Sequence, residues 1–144
     1  YTKAASSEWL VVSGGMVRFE VQGDSYGRLI CRVVDGGSEA AIEASNGAEA
    51  AAELMAAVEG ATRDGYSECF WQEAASECRW IFRREGERVR IVVLRSTGTL
   101  TGWEHVFGAE CDLAEFVEQA RSQLRRGLEG ARGWQHGVGP GGAP

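Results

Sequence analysis

At 144 residues the chain is long enough for one domain with a substantial core and too short for two. Its formal net charge of −6 argues against nucleic acid as a default ligand, because phosphate contacts need clustered positive charge, and it favours a basic partner. No apolar run reaches the length of a membrane span and no charged-then-apolar leader opens the chain, so a cytoplasmic location without membrane contact is expected.

Glu8 to Val12 (EWLVV) reads as a first short strand, ended by Ser13-Gly14-Gly15. Met16 to Gln22 alternates Val17, Phe19 and Val21 against Arg18 and Glu20, the pattern of a half-buried strand. Leu29 to Val34 returns after a loop of turn formers, and short connections between successive strands favour an antiparallel meander. Ser38 to Ser45 fits a loop, a short helix or an edge strand and stays open. Asn46 with Glu49 three positions on makes a capping box for a helix to about Glu59, with Ala51, Leu54, Met55 and Val58 on its inner face and Gly60 as terminator.

Tyr66 to Glu73 follows the turn signal Asp64-Gly65 as a further strand. The most informative stretch is Cys78 to Arg95, CRWIFRREGERVRIVVLR. A turn centred on Glu85-Gly86 would pair Arg83 with Arg88, Phe82 with Val89, Trp80 with Ile91 and Cys78 with Val93. That gives a hairpin with one apolar and one arginine-rich face. Leu100 to Phe107 supplies a last strand with Trp103, His105 and Phe107 on one face. Asp112 and Glu115 then cap a final helix whose stripe, Leu113, Phe116, Val117, Ala120, Leu124 and Leu128, should roof the apolar face of the hairpin. The expected architecture is a single α+β domain over 1–128, an antiparallel sheet of about six or seven strands with two helices packed on one face, followed by a Gly/Pro-rich flexible tail at 129–144.

The chemistry-bearing motifs are missing from the sequence. It contains no phosphate-binding GxxxxGK[ST], no GxSxG and no HExxH, so no catalytic residue and no cofactor can be assigned. The four cysteines show no CxxC pair and read as small core hydrophobes; a zinc site from Cys69, Cys78, Cys111 and His105 would need ligands converging from separate strands.

The order of elements, from the opening strands through the charged hairpin to the Trp-containing strand GWEHVFGAECDL and the helix DLAEFVEQARSQL, resembles the layout of small bacterial immunity proteins of the WapI type and related actinobacterial proteins, over roughly residues 8–128. The resemblance implies a cytosolic protein that binds and blocks a cognate toxin, commonly a basic nuclease; the arginine-rich hairpin departs from it. The resulting reading is a non-enzymatic protein-binding module in which Glu39, Glu43, Glu49 and Glu53 steer a basic partner. Two alternatives accompany it. One is self-assembly through exposed aromatics such as Trp9, Trp71 or Trp134, and the other is a small-ligand or metal site around the cysteines and His105.

Overall fold

The computed structural model describes residues 17–96 and 102–138, with side chains of the last helix as far as residue 130. The expected strand Glu8–Val12 and residues 139–144 lie outside the described residues. The first three strands, β1 (Val17–Gly23), β2 (Leu29–Asp35) and β3 (Ser38–Ala44), form an antiparallel meander in the order β1-β2-β3. The segment that sequence left open is therefore its edge strand. Strict alternation buries Val17, Phe19, Val21, Leu29, Cys31, Val33, Ile42 and Ala44 on one face.

Helix α1 (Gly47–Asp64) starts as expected at Asn46, whose side chain accepts from the Glu49 N–H at 3.2 Å. It does not stop at Gly60. That residue lies inside the helix, where an added Cβ would stand 3.4 Å from Ser67 Cβ. The helix ends instead at Gly65, whose φ of 92° suits a residue without Cβ and whose N–H bonds the Ala61 carbonyl.

Strands β4 (Tyr66–Gln72), β5 (Glu77–Glu85), β6 (Arg88–Ser96) and β7 (Glu104–Asp112) form a second antiparallel sheet in sequence order. The hairpin between β5 and β6 has the expected faces in a different register: Glu85 pairs with Arg88, Phe82 with Ile91 and Trp80 with Val93. The two turn residues are Gly86 and Glu87, so Gly86 takes the first turn position at φ 65°, a conformation that glycine adopts without a steric cost. Because the offset is two residues, the same side chains stay inside, and Cys78, Trp80, Phe82, Val89, Ile91 and Val93 are all buried. In β7 a bulge follows, since Val93 pairs with Phe107 but Leu94 with His105. The extra residue, Val106, reverses the alternation. Phe107 is buried while His105 faces solvent, and the expected common face of Trp103, His105 and Phe107 is not formed.

Helix α2 (Leu113–Val138) is capped by Asp112, which accepts from the Glu115 N–H at 3.0 Å, and continues past the expected end at Leu128. Leu113, Phe116, Ala120 and Leu124 are buried as the stripe requires. The α+β class stands, with seven antiparallel strands and two helices among the described residues, but the strands divide into sheets of three and four.

One aromatic cluster joins these layers. Trp80 stacks on Phe82 (6.1 Å), meets Trp71 edge-on (5.3 Å) and Phe19 edge-on (6.2 Å), and Phe116 packs on both Phe19 (5.6 Å) and Phe82 (5.8 Å). The hairpin is thus covered by β1 and both helices together, not by α2 alone. Each such ring contributes about 1.5–3 kcal/mol of burial before ordering entropy is subtracted.

Candidate protein-docking surface

The outer face of the four-stranded sheet is set by the same period of two that fills the core. Tyr66, Glu68 and Phe70 of β4 lie opposite Arg83, Ile81 and Arg79 of β5, all on the side away from the buried tryptophans. Phe70 and Trp103 are 43% and 39% exposed, and their rings pack together at 6.1 Å. The Arg79 guanidinium lies over both, 5.8 Å from the Phe70 centroid and 6.0 Å from that of Trp103, and Arg83 lies over Tyr66 at 5.9 Å. Arg79 also bonds Glu68, while Arg88 and Arg90 share Glu110 at 3.4 and 3.9 Å. The arginine face is therefore only partly neutralised by its own glutamates: two carboxylates meet three of its four arginines, and Arg83 lies on Tyr66.

Among the four glutamates expected to steer a partner, Glu39 and Glu43 lie on β3 and are engaged, the first with Arg32 and the second with Arg28 at 3.7 Å. The Arg32 hydrogen bond holds the Glu39 carboxyl below its ordinary value. Glu49 and Glu53 are exposed on α1 and flank one shallow hollow with Asn46 and Gln72, close to the β4 side of the sheet. The structure thus separates the four into two pairs; in the α1 pair Glu53 lines a groove with Phe70, and Glu49 lies beside Gln72.

Trp71, considered above as an exposed aromatic, is instead buried: it lies on the inner side of β4, and its indole N–H donates to the Ala50 carbonyl at 3.1 Å. Trp9 and the side chain of Trp134 lie outside the described residues. Cys69, Cys78 and Cys111 are buried, His105 is turned to the opposite face by the bulge, and among the described residues no group of three or more His, Cys, Asp or Glu is placed to hold a metal ion.

Sequence reasoning missed the aromatic pair because Phe70 and Trp103 lie far apart in the chain. The signal available was Phe70 in phase with Tyr66 and Glu68, on the side that could not also hold Trp71. It also missed Glu73, which ties the two sheets together. This carboxylate, 9% exposed, accepts from the Glu43 N–H (3.0 Å), from Ser76 Oγ and from Arg95 Nε (3.1 Å) and Nη2 (3.2 Å), and Arg95 reaches on to the Ala41 carbonyl at 2.9 Å. Burial alone would raise its pKa, but the bonds from Arg95, Ser76 and the Glu43 amide outweigh it and hold the carboxyl at about 2.

No family model matches the chain and no curated protein does. Among solved structures it resembles a chain of the CdiA-CT/CdiI toxin and immunity complex from Enterobacter cloacae, at 10% identity and a TM-score of 0.46, over 77% of this chain and 98% of that one. A likeness of that degree carries no argument about function. No helix among the described residues is long and apolar enough to cross a membrane.

Proposed function

We propose that the chain is a non-enzymatic module that binds another protein through the outer face of its four-stranded sheet. The observation that carries this reading is the solvent-exposed packing of Phe70 on Trp103 beneath Arg79. Aromatic and arginine side chains supply most of the binding energy at protein interfaces, and a sheet presents them already ordered, so little entropy is lost on docking. The net charge of −6 supports a basic partner, and a cytoplasmic bacterial immunity protein of the WapI type that neutralises a basic toxin is the function consistent with both. Glu49 and Glu53 would steer the encounter, with Glu39 and Glu43 contributing less because arginines already hold them.

The test is titration calorimetry against a basic toxin domain encoded beside this gene. Phe70→Ala and Trp103→Ala should each weaken binding by about tenfold or more with the fold intact, whereas Tyr26→Ala, on a distant loop, should not. Glu49→Lys with Glu53→Lys should slow association and flatten its salt dependence. Full affinity in both aromatic variants would remove this face, and no binding by a neighbouring gene product would remove the immunity reading.

A further inference from the structure

The chain treats two of its sheet edges differently. Along β1 the edge is occupied by α2: Gln119 Nε2 donates to the Val17 carbonyl (2.8 Å), its Oε1 accepts from the Phe19 N–H (3.0 Å), and Gln123 Oε1 accepts from the Val21 N–H (3.1 Å). The β4 edge has no such cover along most of its length. The Gly65 carbonyl accepts from the Arg84 N–H, so the backbone groups in phase with Gly65 point to β5, and those of Tyr66, Glu68, Phe70 and Gln72 point away from the sheet. At Gln72 the chain itself uses this edge, since the Ser45 N–H donates to the Gln72 carbonyl at 2.9 Å. From Tyr66 to Phe70 no described residue takes the outward backbone groups.

Beside that open stretch runs a groove of ≈ 560 Å³ between β4 and α1. Ala56, Ala57 and Gly60 line its helix side; Ala57 and Gly60 are buried against Ser67, and Ala56 is exposed to the groove. Three carboxylates, Glu53, Asp64 and Glu68, border it; Arg63 pairs with Asp64 and Arg79 with Glu68, so Glu53 is the carboxylate outside these pairs and the border keeps a net negative charge. The same edge carries Phe70, which also lines the groove and whose ring the Arg79 guanidinium already covers at 5.8 Å.

We propose that the β4 edge accepts an extended basic segment of a protein partner as an additional strand. The inference rests on the protein-binding reading above and names how the partner is held. Unpaired N–H and C=O groups along an edge template a further strand, and the strand period then sends alternate side chains of the guest into the α1 groove and over the Phe70 face. Main-chain bonds supply affinity, while the small lining residues and the acidic border select for alternating apolar and basic side chains.

Amide hydrogen exchange on the full chain tests this, with a peptide of alternating arginine and valine as probe and its glutamate–valine counterpart as control. In the free protein the amides of Tyr66, Glu68 and Phe70 should exchange fast and those of Phe19 and Val21 slowly. The arginine peptide should slow the β4 amides by about tenfold or more, and the glutamate peptide should not. Glu68→Pro removes one outward N–H without breaking the ladder to β5 and should abolish the protection, while Glu68→Gln should retain it. A probe N-methylated at alternate residues gives the same answer if the proline variant does not fold.

Three outcomes would overturn the proposal: no protection on β4, equal protection by both peptides, or protection in the free chain that grows with protein concentration and so marks a second copy on the edge. Loss of toxin affinity in Trp103→Ala without β4 protection leaves the sheet face standing and removes the edge. β4 protection with unchanged toxin affinity in that variant does the reverse.

Discussion

Glu73 concentrates in one carboxylate what the fold needs to hold its two sheets together. Its partners come from β3, from the turn after β4 and from β6. Nothing local in the sequence distinguishes it from the solvent-facing glutamates, because burial and pairing arise only when those three segments meet. Removing one member of a buried, hydrogen-bonded pair leaves the other uncompensated, so Glu73→Gln should cost about 2–4 kcal/mol in urea unfolding at neutral pH. The ordinary pKa of the group is 4.5 and its folded value about 2, so the unfolded chain binds the extra proton between them. The stabilisation is complete above pH 4.5 and disappears as pH falls toward 2. The stability difference between the native protein and Glu73→Gln should therefore shrink across that window; a constant difference would show that the carboxylate's charge is not what matters.

At the scale of elements, the sequence was legible wherever period alone decides. The faces of β1, β2, β5 and β6 and the stripes of both helices follow from alternation and from 3.6-residue spacing. The register of the hairpin does not, because a two-residue offset preserves both faces; in the observed register Gly86, at φ 65°, takes the first turn position instead of the second. The bulge in β7 was equally hidden, since one extra residue changes parity without altering composition. The docking of α2 on β1 depends on another glycine. An added Cβ at Gly127 would lie 2.5 Å from Val21 Cγ1 and 3.2 Å from Leu29 Cδ2, so only a residue without one lets the helix come close enough for its glutamines to reach the strand. Gly127→Ala gains up to about 1 kcal/mol of helix propensity but must displace two well-packed side chains, a strain of about 1–3 kcal/mol. A net loss of stability in thermal unfolding, with faster exchange at the Phe19 and Val21 amides, is the expected outcome.

For the molecule as a whole, the order and periodicity of the elements indicated the α+β class, and the division into two sheets came from long-range pairing that no window of sequence contains. For the candidate surface, charge pointed to Glu39, Glu43, Glu49 and Glu53, while Phe70, Trp103 and the open β4 edge depended on which strands became neighbours. The free cysteines have a practical consequence at this scale. All four are buried, Cys69, Cys78 and Cys111 are pushed up to about 12 by burial, and Cys31 is raised as well, so none offers a thiolate near neutral pH. Maleimide should leave the native chain unmodified and react with all four once it is unfolded. Ser25→Cys, in the exposed loop between β1 and β2, should then accept a single fluorophore in an otherwise wild-type background, with no need to delete any native thiol.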